Sequence, residues 1–489
     1  MNWIAPGRGG PPGSSLPALL LPLLLLSPQA GAGRKAGPPR PRRKAPLLIR
    51  VGKAYLGTGK VLEPAAILVA RGKILAIGKH LPLPKGAKVL DLSGLTAAPG
   101  LVDPWAATFL APSDRRTPHD PAGPTSSGLV RIRPSQARDL LLAGVTALCV
   151  TPPGKDGLGP RLAAAALDPS GTPRPILALS GLSLRFSQAG PKDPLAPLRI
   201  YKALKKAFEK ARDYKEKRDK AQKEEKEFQK KWKEYLAALR KLRPRKKALG
   251  KKAPSSRPKA SKPSGPKAAS RPASGPGRKK TATRPSARKG KVPPRPKRPA
   301  PFRIDPAQEV LAAALERKIP VRIEAHTSLE VKKALQLAWE FELRAVLVEP
   351  WEVDPEDLDR AARMGITVLY GPLDRAAPGY GEPGFRQDIL ATFEKAGVPV
   401  ALGTRGFLSP RFLRDQAALA RAMGLSPGGA FRAVTLYAAR ASGIEALAGS
   451  LEKGKRADIL FFAGDPADPA LPPRRVMLGG KFLPKEVRL

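Results

Sequence analysis

Histidine, cysteine and, over one long stretch, acid are what this chain has least of. Among its 489 residues there are three histidines and one cysteine. The single thiol, Cys149, excludes an internal disulfide framework, and its apolar setting VTALCVTP marks a buried strand residue with no base partner. Lys241 to Ala300 holds 22 Lys or Arg and no Asp or Glu, so this stretch supplies 22 of the +48 formal charges. The first fifty residues add eight basic residues and again no acid. Charge placed this way describes a moderately charged folded body carrying a basic insertion. No aromatic ring lies between Arg243 and Ala300, which excludes base stacking by that stretch. The apolar run Leu16 to Leu26 is eleven residues, too short to span a bilayer comfortably, and nothing else in the chain reads as transmembrane.

That run has another use. Arg8 precedes it and Ala30-Gly31-Ala32 follows, giving the basic, apolar and small-residue order of a secretory leader. Residues 1–32 are therefore expected to form a signal peptide cut after Ala32, with 33–45 a basic linker and the mature chain periplasmic or extracellular. An uncleaved membrane anchor is the alternative reading of the same leader.

Beyond the leader, hydrophobic residues make up 42% of the chain, enough for a sizeable core. Residues 46–98 contain short apolar runs broken by Gly turns (LLIRV, AAILVA, KILAIG, KVLDL), and 449–489 have the same character. They predict one small composite β-sandwich domain closed by both chain ends. In residues 99–448, the buried-strand patterns GVTALCVTP, PILALSG, IPVRIEAHT, RAVLVEP, GITVLYGP and VPVALGT alternate with helical ones such as LEVKKALQLAWEFEL and FRQDILATFEKAG. Repeated βα units imply a parallel sheet. Without residues 208–303, Pro99 to Ala448 retains 254 residues, close to the ~250 of an eightfold βα barrel. Residues 201–300 read as an insertion. Tyr201 to Leu242 is a charged helix or helical pair with Glu216–Lys220, Asp219–Lys223 and Glu227–Lys231 as i,i+4 pairs, and a disordered Lys/Pro/Ala-rich segment follows it.

Several phrases together resemble the amidohydrolase superfamily, in particular its imidazolonepropionase-like and dihydroorotase-like branches. They are GLTAAPGLVD entering the barrel, LLLAGVTALCVTP, VPVALGT, and the closing run AVTLYAARASGIEALAGSLEKGKRADILFFAGDP. The resemblance covers nearly everything from residue 46 onward outside the insertion. It implies an α/β fold, a TIM-like (β/α)8 barrel, and hydrolysis of carbon-nitrogen bonds, cyclic amides among them. The chemistry would run on a divalent ion, often zinc, that activates a water while a strand-eight Asp shuttles the proton.

The same resemblance places the ligand positions, and this chain departs from them. Where the family has Asp-x-His-x-His, here stand Asp103-Pro104-Trp105-Ala106-Ala107, putting Trp105 and Ala107 in the places of metal ligands. Strand five ends Glu324-Ala325-His326, with Glu324 in a ligand position, and the strand-six position aligns with Pro350. Arg405 stands where the strand-eight acid belongs. Only His80, His119 and His326 exist, so three or four imidazoles cannot be assembled. No cofactor is expected, and zinc or another divalent metal follows only if the family activity survives.

Two readings of the remaining pocket residues, Glu324, His326, Arg405 and Asp103, stand side by side. Arg405 either binds a small anionic ligand oriented by Glu324 and His326, or pairs with Glu324 in the space a metal would occupy. Asp103 reads as a structural strand-end carboxylate and Trp105 as a plug. The basic stretch 241–300 is either a contact for an anionic polymer or lipid headgroups, or a solvated spacer. The function expected from residues alone is thus that of a catalytically impaired amidohydrolase relative, with an exported scaffold or polyanion-binding protein as the alternative.

Overall fold

The protein was analysed as a computed structural model that describes residues 45–484 apart from 108–119, 122–131, 153, 155–156, 169, 171–172, 187–192, 243–293 and 375–387. The leader, His119 and most of the basic segment lie outside the described residues. In chain order the strands are β1 (Leu47–Tyr55), β2 (Val61–Leu62), β3 (Ala65–Ala70), β4 (Lys73–Gly78), β5 (Lys88–Pro99), β6 (Leu101–Asp103), β7 (Val145–Val150), β8 (Gly157–Ala166), β9 (Arg174–Arg185), β10 (Val321–Glu324), β11 (Ala345–Val348), β12 (Thr367–Tyr370), β13 (Val400–Leu402), β14 (Ile459–Phe462), β15 (Arg475–Leu478) and β16 (Lys481–Phe482). The helices are α1 (Pro134–Leu142), α2 (Ala196–Leu242), α3 (Pro306–Leu315), α4 (Ser328–Glu340), α5 (Pro355–Arg363), α6 (Ile389–Lys395), α7 (Leu413–Ala422), α8 (Pro427–Ala433) and α9 (Leu436–Ala441).

Both chain ends meet in one sheet of order β16-β15-β14-β5-β1-β3-β4, with β2 pairing β1. Ile49, Val51, Ile67, Val69, Ile74, Ile459, Phe461 and Met477 fill its core, drawn from both ends of the sequence as the alternating pattern predicts. In place of separate sandwich layers, the pairing is one continuous eight-stranded sheet.

The second sheet runs β13-β12-β11-β10-β9-β8-β7-β6 and curls into a nearly closed, TIM-like α/β barrel. Every strand pattern named above for this region is a strand. The expected strict (β/α)8 alternation is corrected, because β8 pairs antiparallel to both β7 and β9 while the other pairings are parallel. A hairpin, β8–β9, thus takes the place of one helical crossover. Ala-rich β8 (GLGPRLAAAA) carries no β-branched residue, so its sequence did not announce a strand.

The insertion opens as a single 47-residue helix, α2, not a pair. Ile200, Tyr201, Leu204, Phe208 and Ala211, spaced at three or four residues, enter the main core, and Phe208 lies 5.2 Å from Phe341. Asp219 bonds Lys215 and Arg218, not the Lys223 expected from spacing. Arg218 reaches Glu309 (3.0 Å) and also Glu316 on the α3 side, fastening the middle of the helix to the barrel.

Candidate functional site: an ion-pair network in the barrel mouth

The mouth is organised by strand register. Glu324, at the end of β10, pairs in register with Arg185 of β9 and Val348 of β11. Alternation sends Arg322 and Glu324 to the barrel interior while Val321 and Ile323 join the helix-facing core. Arg405 follows β13, and Glu349 follows β11 by one residue. Both have φ of 51°, a left-handed backbone that non-glycine residues rarely hold, so the contacts around them must maintain it.

The structure brings the predicted residues Glu324, His326 and Arg405 together. Arg405 Nη2 donates to Glu324 Oε1 at 2.6 Å, and its Nη1 donates to Glu349. On the other side of Glu324, Arg185 Nε and Nη2 donate to its two oxygens at 2.8 and 3.2 Å. His326 Nε2 lies 3.5 Å from Glu324 Oε1. Its Nδ1 is 2.7 Å from the Glu349 carbonyl, which can only accept, so Nδ1 carries the proton. The Glu330 carboxylate of the TSLE capping box accepts from the His326 and Thr327 amides and fixes the turn that presents the imidazole. Burial by itself would raise the Glu324 carboxyl, but the His326 contact and the Arg405 and Arg185 charges reverse this and hold it well below the ordinary carboxylate range. Burial likewise pulls the Arg405 guanidinium downward, opposed by Glu324.

Trp105 fills the interior with Val346, Val348, Leu369 and Ala401, and the Arg405 guanidinium lies 4.6 Å from the centre of its ring. Ala107 packs under the same turn, where a Cβ added to Gly406 would meet the Ala107 Cβ at 2.7 Å. Asp103 is not in the network. It accepts from Thr404 Oγ1 (2.5 Å), Thr404 N (3.2 Å) and Trp105 N (2.9 Å), joining the end of β6 to the end of β13 where no strand pairing closes the sheet. Burial raises its pKa against these bonds. Pro350 supplies a carbonyl to the Tyr370 hydroxyl. His80 is exposed in the bend that follows β4, far along the chain from the mouth.

Sequence reasoning missed three charged groups. Arg185 and Glu349 are partners in the network, and Arg322, 2% exposed, lies one layer deeper. Arg322 donates to Ala441 O (2.9 Å), Thr151 Oγ1 (2.9 Å) and Cys149 Sγ (3.2 Å). Arg185 and Arg405 thus meet the carboxylates of Glu324 and Glu349, the pairing that a low-dielectric interior requires, while Arg322 and Asp103 are held by neutral partners. The signal that could have found Glu349 and Arg185 was that need for compensation, since both close a barrel strand.

A divalent ion does not fit this donor set. Trp105 and Ala107 offer no ligand atom, and the carboxylates of Glu324 and Glu349 are each engaged by a fixed cation that would repel a metal. Among the described residues no three His, Cys, Asp or Glu side chains gather in a group able to hold one.

Fold and site define a TIM-like α/β barrel protein with a charged, internally paired mouth at its C-terminal strand ends. Residues 382–483 match the model of the amidohydrolase family. The chain is similar to an amidohydrolase from Thermotoga maritima, at TM-score 0.60 and 19% identity, covering 89% of this chain and 99% of that one. It is also aligned with a zinc-bound adenosine deaminase from Xanthomonas campestris (TM-score 0.44, 16% identity, 90% and 93% covered) and with phenylurea hydrolase B (0.46, 15%, 90% and 97%). No curated protein sequence matches the chain. The family match is thus confined to the C-terminal part of the chain, and the likeness to the Thermotoga maritima amidohydrolase is one of fold.

Proposed function

We propose that this protein is an amidohydrolase-superfamily member that no longer performs metal-assisted hydrolysis of carbon-nitrogen bonds and acts instead as a binding scaffold. One observation carries the reading: the Arg405 guanidinium, lying over Trp105, bonds Glu324 and Glu349 in the place where the family resemblance puts a proton-shuttling acid and metal ligands. A guanidinium stays protonated at any working pH, so it cannot act as the general base of such a reaction. We read the barrel as a (β/α)8 ancestor with one unit replaced by the β8–β9 hairpin. An anionic ligand in the mouth would have to compete with Glu324 and Glu349 for Arg405, which favours the internal pair over a ligand pocket. The contact surface is then the basic part of the insertion, 241–300, facing an anionic polymer or lipid headgroups, on a chain exported by its leader.

Metal content tests this directly. The mature chain, purified without chelators or a histidine tag and measured by elemental mass spectrometry, is expected to hold transition metal far below one ion per chain. Near-stoichiometric zinc, manganese or iron that is lost in Glu324→Ala would overturn the proposal and direct attention to amide and lactam hydrolysis.

A further inference from the structure

The outer half of α2 is unlike the rest of the molecule. Beyond Arg218 the helix leaves the core, and Phe228, Trp232 and Tyr235 form a ring ladder along one face, with centroids 5.8 and 5.5 Å apart. The chain returning to the barrel at 294–302 lies along that ladder. Arg295 sits 5.3 Å from the Trp232 ring, and Phe302 is 5.2 Å from Tyr214. In the return, Pro296, Pro299 and Phe302 are half-buried while Arg295, Lys297, Arg298 and Arg303 are exposed, the three-residue period of a polyproline II strand. Helix and return therefore form a two-ply arm with its aromatic rings turned inward.

The outward face of that arm is basic. At 100° per residue, Lys223, Lys226, Lys230 and Lys233 fall within about 50° of the line opposite Phe228, Trp232 and Tyr235, with Arg240 on one edge of that face and Glu227 and Glu234 on the other, while Glu224 and Glu225 lie on the ring side. All five cations are exposed, and no carboxylate among the described residues pairs with the four lysines. They span about 25 Å of straight helix. The return adds four more cations and no acid between 294 and 304.

We infer that this arm is a docking surface for the phosphate backbone of duplex nucleic acid. The inference rests on the binding reading above and assigns its surface. Charge complementarity selects a polyanion, and three features select the duplex. The Trp232 ring is covered by Arg295 and so is not open to unpaired bases. Lysine is a point charge that reads phosphate without reading sequence. A rigid row of cations meets a stiff duplex without the ordering cost that a flexible anionic polysaccharide must meet.

The experiment uses the full mature chain and a fluorescent duplex of about 20 base pairs at salt between about 50 and 200 mM. Wild type is compared with the quadruple variant Lys223→Gln, Lys226→Gln, Lys230→Gln, Lys233→Gln, which keeps the helix and the whole basic segment. The variant is expected to bind about tenfold or more weakly at low salt, with the slope of log affinity against log salt reduced by about 3 to 4. An unchanged affinity and slope in the variant, with wild type binding, would overturn the arm while leaving residues 243–293 as the contact. Failure of wild type to bind at the lowest salt would overturn both this inference and the nucleic-acid form of the binding reading. Tighter binding of heparin than of the duplex at equal salt would overturn the choice of duplex. Metal content plays no part in these outcomes, so they are separable from the test of the lost hydrolase chemistry.

Discussion

The barrel mouth and the arm are both built from arginine, lysine and glutamate, but they treat charge in opposite ways. In the mouth Arg405, Glu324 and Glu349 have side chains only 14%, 10% and 5% exposed, and each is bonded to an opposite charge. On the arm Lys223, Lys226, Lys230 and Lys233 stand in water, and among the described residues no carboxylate is bonded to them. Burial is what separates the two. A desolvated ion must find a partner or be neutralised, whereas an exposed one is satisfied by water and keeps its charge available to something outside. The mouth therefore consumes its own electrostatics, and the arm exports it.

The sharpest way to break this comparison is to remove the central cation. Arg405→Leu leaves Glu324 and Glu349 buried without it and is expected to cost about 3–5 kcal/mol, read as a shift in the urea midpoint by circular dichroism. Replacing the three charges together (Arg405→Met, Glu324→Leu, Glu349→Met) should recover most of that loss, because Arg185 is 38% exposed and can turn to solvent. A single-variant cost below about 1 kcal/mol would mean the mouth is wet and the contrast with the arm false.

Acid sharpens the same point. Glu324 ionises in the folded chain well below its ordinary 4.5, so under acid the unfolded chain binds the extra proton first. Its stabilisation is complete at neutral pH and drains away as pH falls below about 5. Asp103, whose pKa burial raises, has the reverse sign and favours folding on the acid side. The stability gap between wild type and Glu324→Gln is accordingly expected to narrow from about pH 7 to about pH 3, and a constant gap would contradict the depressed carboxyl.

A smaller effect is expected where arm and barrel join. Arg218 bonds Glu309 and Glu316 from the middle of α2, and Tyr214 donates to Glu309 at 2.7 Å. Arg218→Met keeps the stem but drops these charge-assisted bonds, for a loss of about 1–3 kcal/mol by the same denaturation assay. Protection of amides beyond residue 219 from hydrogen exchange should fall more than protection in the barrel, since among the described residues Arg218 supplies the ion pairs between α2 and the α3 side.

Much of this was legible in the sequence because periodicity reports burial. IPVRIEAHT and VPVALGT announced strands, and the Tyr201, Leu204 and Phe208 spacing announced the buried stripe of α2. Glu324 facing Arg405 followed from two strand ends in one barrel. What stayed hidden has a physical cause in each case. Ala-rich β8 lacks strand-forming side chains, so only its tertiary pairing with β7 and β9 makes it extended. Glu349 is sequence-adjacent to Pro350, the residue that drew attention, and it reaches Arg405 only through a left-handed backbone that no local pattern encodes. Arg185 belongs to the network through its register with Glu324, which is information between strands and not within one.

The smallest stability effect is expected at the place with the most charge. Changing Lys223, Lys226, Lys230 and Lys233 together to Gln removes four cations, yet all four are exposed and Gln is nearly as good a helix former as Lys. Unfolding free energy should therefore move by no more than about 0.5 kcal/mol in either direction, since relief of mutual repulsion offsets the small loss of helix propensity. Set beside Arg405→Leu, this inverts the usual weighting: one guanidinium inside the barrel outweighs four ammonium groups on the arm for folding. A loss above about 1 kcal/mol in the quadruple variant would show that the lysine row packs against something on the protein itself, and its charge would then be a structural resource like that of the mouth.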